Sequence, residues 1–253
     1  SAGFEARNTE EIRKFQERVI KDVLGLTVAS KRVPRFGDQS YWGMGIPSLM
    51  GKTAATEAVW YSHTWEDTLD KVDLAAAETS FKVFAVEALR LCNNPVLPFE
   101  FVTVANHFKM ALNDLQHKNS STLELTSLLA QVDELARKAG ALNQAIESNL
   151  LRYEKGRTGK LLAGKFARTN RCLMDLSRIL IPVLSSKAGR YGQDPMGTEF
   201  KPLPTLRALE RLGSLDAESE EYKALRTSLL RERNKVSDAL HAANGILQEA
   251  LDI

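Results

Sequence analysis

Trp60 Tyr61 Ser62 His63 Thr64 Trp65 Glu66 Asp67 Thr68 Leu69 Asp70 Lys71 Val72 Asp73 is the stretch on which the reading of this chain turns. A histidine stands between two tryptophans, and carboxylates follow it at the entrance to an apolar, alanine-rich segment that starts at Leu74. A neutral imidazole in such a place has two readings: a metal ligand, or a core histidine satisfied by its neighbours. Asp67, four residues on, also has two: a carboxylate that orients the imidazole through its second ring nitrogen, or a cap ahead of Thr68 to Val72.

A second block, Gly37 Asp38 Gln39 Ser40 Tyr41 Trp42 Gly43 Met44 Gly45 Ile46 Pro47 Ser48 Leu49 Met50, ends 13 residues before His63. In order and spacing the two segments together resemble the co-catalytic zinc aminopeptidases related to glutamate carboxypeptidase and the transferrin receptor, over about the first third of the chain. The resemblance implies an α/β domain with two zinc ions held by histidines and carboxylates, in which a metal-bound hydroxide hydrolyses a peptide substrate. It makes His63 a zinc ligand and Gly37, Asp38 and Gln39 the lining of a substrate pocket; Asp67 is the candidate to orient the ligand histidine, and Tyr61 and Trp60 are either further walls of the pocket or simple core. Many relatives carry an aspartate-histidine pair where Gly37 Asp38 Gln39 stands, so specificity does not carry over.

The family's other ligands and its general base precede the block that starts at Gly37. The 36 residues before it contain no histidine, and the pair Glu10 Glu11 reads as part of a surface helix. No catalytic residue is therefore assigned in this chain. One histidine does not build a zinc site, which needs about three protein ligands. The remaining histidines, His107, His117 and His241, read as lying in separate helical segments. The chain is expected to be the carboxyl-terminal portion of a larger zinc exopeptidase, inactive alone. The alternative is a non-catalytic dimeric scaffold of the transferrin-receptor type. The compartment is open, the resemblance favouring a secreted or cell-surface parent.

At 253 residues and 43% hydrophobic content the chain has ample material for a packed core in one large or two modest domains. A formal net charge of +2 gives no general argument for nucleic acid. No apolar run reaches the ~20 residues that span a bilayer. Cys92 and Cys172 form no metal or redox motif and read as buried thiols.

The expected architecture is mostly α: the end of an α/β zinc-peptidase domain over residues 1–95, then a helical bundle over 96–253. Residues 9–25 read as an amphipathic helix capped by Thr9 and stopped by Gly25. Leu26 to Val28 and Ile46 to Met50 read as short strands, the second buried, with Pro47 near its start. A helix from Leu74 to Cys92 ends before Asn93 Asn94 Pro95, and the two prolines at 95 and 98 mark the domain boundary. Apolar stripes at helical spacing then recur over 121–152, 165–184 and 217–251, enough for a bundle of three or four helices. The loop from Ser185 to Pro204, with Arg190 Tyr191 Gly192, together with the helix order, resembles the dimerisation domain of the same family and implies a homodimer.

Between Arg152 and Arg190 ten Lys or Arg face two acids, Glu154 and Asp175. No aromatic residues are interleaved as stacking platforms, and the acidic segment from Glu210 to Glu221 offers intramolecular compensation, so nucleic acid is not expected as a partner.

Overall fold

The computed structural model describes residues 3–33, 41–53, 61–118, 123–155, 160–196 and 201–252. Gly37, Asp38, Gln39 and Trp60 lie outside them. The described chain is mostly helical, with a small three-stranded sheet at its amino-terminal side.

Strand β1 (Phe4–Asn8) is central, flanked by the parallel β2 (Lys31–Arg32) and the antiparallel β3 (Leu49–Thr53). The register runs from Phe4 opposite Thr53 to Asn8 opposite Leu49. Alternation in β1 sends Phe4, Ala6 and Asn8 inward and leaves Glu5 and Arg7 outside, paired at 2.7 Å. Two helices cover the inner face: α1 (Arg13–Leu24), which ends on Gly25 at φ 68°, and α2 (Leu74–Asn93), whose first turn is capped by Asp73 through the amides of Ala75 and Ala76. The buried amide of Asn8 is satisfied within this unit, donating to Gln16 Oε1 at 2.9 Å, while Gln16 Nε2 donates to Met50 O at 3.1 Å.

Three boundaries differ from the sequence reading, each for a stated reason. The first helix starts at Arg13, because Thr9 does not cap it. Thr9 extends the sheet pairing, its amide donating to Ser48 O at 2.9 Å and its hydroxyl accepting from Ser48 N at 3.1 Å. The strand expected from Ile46 begins at Leu49 and is only partly buried, since Pro47 has no amide to donate and the amide of Ser48 is taken by Thr9. Leu26 to Val28 join no ladder; Leu26 and Val28 pack instead against the small core under the sheet.

Beyond the connector, the bundle consists of α3 (Phe101–Lys118), α4 (Thr126–Glu154), α5 (Lys160–Ser185) and α7 (Glu220–Leu251), with the single turn α6 (Leu209–Leu212) tucked against it. Its core includes Phe108, Leu112, Leu128, Leu135, Leu176 and Leu240, all fully buried. α3 supplies the two largest of the fully buried side chains, Phe101 and Phe108, and Glu100 caps it by accepting from the amides of Val102 and Thr103. It carries both His107 and His117, which therefore share one helix rather than occupying separate ones. A polar seam crosses the interface of α4 and α7: Lys138 Nζ donates to Asn244 O at 3.0 Å, and Asn244 Nδ2 to Gln131 O at 3.0 Å. Among the described residues the apolar side chains form two clusters, one under the sheet and one inside the bundle, and Phe99 touches both. Trp42, from the Gly37 block, belongs to the bundle cluster.

The two clusters are clamped at Gly45. Its φ is 70°, and a Cβ there would lie 2.3 Å from Arg178 Cα and 2.4 Å from Ser177 O of α5. Only glycine meets both demands. Gly45→Ala is expected to cost about 1–3 kcal/mol for the strained backbone and a similar amount for the clash. Chemical denaturation checks this, and a loss below about 1 kcal/mol would contradict the tight approach.

Candidate functional site

The loop that carries His63 leads from the end of the sheet region to the cap of α2. It is tied by its own side chains. Tyr61 Oη donates to Lys71 O at 3.3 Å, the Lys71 ammonium sits 5.2 Å from the centre of the Tyr61 ring, and the same ammonium bonds the Glu66 carbonyl. Thr64 closes the inner turn, its hydroxyl donating to Tyr61 O at 2.6 Å and accepting from Glu66 N at 3.2 Å. His63 lies at the tip with φ 63°, a left-handed conformation uncommon outside glycine, and its side chain is exposed.

Asp67 is also exposed, and among the described residues neither its carboxylate nor the His63 imidazole makes a hydrogen bond or an ion pair. The capping alternative for Asp67 goes to Asp73 instead, since the short 3-10 turn Leu69–Lys71 has no side-chain cap. Tyr61 is half-buried as part of the loop closure. Gly37, Asp38 and Gln39 are outside the described residues, so only Tyr61 of the expected pocket lining has a place here. Along the loop and α2 large apolar side chains stand in solvent among charged ones: Trp65 is 87% exposed, and Leu69, Leu74, Phe81 and Leu89 are open with it, interleaved with Asp67, Asp70, Glu78 and Lys82. Leu74, Phe81 and Leu89 recur at helical spacing along α2.

Glu10 and Glu11 are not on a surface helix. They occupy the turn between β1 and α1 and are fully buried where sheet and bundle meet. Glu10 Oε1 lies 2.6 Å from Arg32 Nε and 4.0 Å from His107 Nδ1. Ser177 Oγ is 3.1 Å from Glu11 Oε1 and 2.8 Å from Gly45 O. A hydroxyl has one proton, and a carbonyl oxygen only accepts. Ser177 therefore donates to Gly45 O, and Glu11 completes the chain by donating its own proton to Ser177. Burial, followed by the adjacent Glu10 charge, pushes the Glu11 carboxyl up to about 8, in agreement with that assignment. These contacts make the acidic pair a structural joint. Among the described residues no group of three His, Cys, Asp or Glu side chains gathers as metal ligands.

Sequence reasoning missed a further acid, Glu87, buried on α2 with its carboxyl raised to about 7 by loss of solvation. A signal was available: Val83, Glu87 and Leu91 are spaced four apart, which puts the acid on an apolar stripe. Cys172 is buried as expected, its thiol pushed up to about 11 by burial and then by Asp175, but Cys92 is exposed, on the outer side of α2. The acids expected to compensate the basic stretch 152–190 pair locally instead, Glu221 with Arg211 and Glu220 with Lys223.

Glu11 and Glu87 fix a pH dependence. Both carboxyls sit above the ordinary value of 4.5, so the folded chain keeps protons that the unfolded chain releases. Stability is expected to fall as pH rises from 4.5 towards about 8, and to level off above it. Glu11→Gln should lessen that slope and raise stability at pH 8 by on the order of 1 kcal/mol or more. Denaturation curves across this range check it, and an unchanged slope in the variant would contradict the protonated assignment. No protein-family model matches the chain, and no curated protein matches it in sequence.

Proposed function

We propose that the chain is the carboxyl-terminal portion of a zinc-dependent exopeptidase, which supplies one metal-ligand loop and a dimerising helical bundle and does not act alone. The observation that carries this reading is the setting of His63. An imidazole at the tip of a tied loop, in a left-handed conformation, supports a functional use, because backbone of this kind gathers at sites. The uncovered apolar side chains near it, Trp65 and Leu69 on the loop and Leu74 at the start of α2, fit a face that meets more protein.

The residues described here do not by themselves fit a zinc ion, because His63 offers a single ligand. Hydrolysis by metal-bound hydroxide therefore belongs to the complete parent, with His63 contributing one bond to one of the two zinc ions and Asp67 close enough in sequence to orient it.

The purified chain, analysed for metal, is expected to hold far less than one zinc. In the longer protein that includes the rest of the peptidase domain, His63→Ala should remove about one of two zinc ions and lower peptide hydrolysis by at least about a hundredfold. Stoichiometric zinc in the chain alone, or unchanged zinc and activity in the longer His63→Ala protein, would overturn the reading.

The homodimer is the second element of the proposal. A cleft of about 600 Å³ opens between α4, α5 and α7, with Leu142 and Ile146 at its floor and Arg168, Arg171, Asp175 and Glu249 around it. Charges of both signs beside apolar surface suit a self-complementary contact. Light scattering should show a dimer, and Ala145→Arg, at an exposed position on the cleft wall, should give a folded monomer. A monomeric parent chain, or a dimer insensitive to Ala145→Arg, would remove the cleft from consideration.

A further inference from the structure

On its inner side, α2 borders an open apolar groove of about 360 Å³, walled by Ile12, Leu49, Phe84, Leu91 and Phe99. Glu87 lines the same groove. Its side chain is 2% exposed, and neither carboxylate oxygen has a hydrogen-bond partner among the described residues. The polar group that favours its charge is the Gln16 amide, whose Oε1 accepts from Asn8 and whose Nε2 gives one proton to Met50 O; with one proton left it only partly offsets the loss of water.

A buried carboxylate left in this way costs free energy that a cation brought to it would recover, through a charge-assisted bond. The apolar walls add a second requirement, since the molecule that brings the cation has to displace water from hydrocarbon surface. The groove is also of the size of small-molecule sites, which run from ~300 to ~1,000 Å³.

We propose that this groove binds a small molecule with an apolar body and one cationic amine, the amine placed on Glu87 and the body among Phe84, Leu91 and Phe99. The pairing needs no other part of the protein, and it is separate from the His63 loop. Its chemistry is recognition only: no bond is made or broken.

A matched pair of probes tests it. In titration calorimetry at pH 7.5, 2-phenylethylamine is expected to bind at least about tenfold more tightly than 2-phenylethanol, which has the same body and no charge. Glu87→Gln, a substitution that removes a buried charge and should not impair folding, is expected to bring the two affinities to within about twofold by weakening only the amine. Ala88→Trp, from an exposed position on the groove wall, should weaken both probes and keeps the test open if the glutamine variant fails to fold. Equal affinities in the unaltered chain, amine binding that survives Glu87→Gln, or no binding of either probe would each overturn the proposal.

Discussion

The contact of Gly45 with Ser177 and Arg178 of α5 is the constraint on which the rest depends. It brings the segment that leads into β3 against the backbone of α5, and three polar groups line up there in one chain, from Glu11 through Ser177 to the Gly45 carbonyl. Neighbouring bonds reinforce the joint: Arg32 of β2 donates to Ser185 Oγ at 2.7 Å, and the amide of Glu100 donates to Glu11 O at 2.8 Å. Asn170 holds the connector to α5 by accepting from Leu97 N and donating to Pro95 O. The Arg32 guanidinium beside Glu10 and the Ser177 hydroxyl beside Glu11 lower the cost of burying the two acids, while Glu11 Oε2 has no partner among the described residues.

The helical part was legible in the chain because its apolar residues recur at a period that only a helix satisfies. The stripes containing Leu128, Val132 and Leu135, and Val236, Leu240 and Leu247, face inward. The small sheet was harder to read. Its strands are two and five residues long, and Thr9 and Ser48 settle their pairing through single amides, each bonded to the other 39 residues away in sequence, next to Pro47, which has none. Local propensity carries no information about such a partner. The error over Glu10 and Glu11 has the same origin: they look like the polar first turn of an amphipathic helix, and the arginine and serine that bury them come from β2 and α5.

The metal-ligand reading of His63 came from motif order, and the physical surroundings of that residue add a tied loop and exposed apolar side chains without adding ligands. Glu87 is the converse case. It belongs to no motif, although an acid placed four residues from both Val83 and Leu91 departs from the pattern of its own helix. Departures of that kind, where local pattern and burial disagree, are where function is most often found.

The seam between α4 and α7 has a kinetic consequence. Lys138 and the carbonyl of Asn244 that receives it are 106 residues apart, and the same two helices share the apolar packing around Val132 and Val236. A four-helix arrangement built from sequence neighbours folds quickly because each contact closes a short loop. Here the ammonium of Lys138 stays wet, and the stripe of α4 stays open, until a segment more than a hundred residues downstream docks on them. Assembly of this bundle should therefore be paced by that late docking, with α4 the part of the nascent chain most in need of protection from aggregation while it waits.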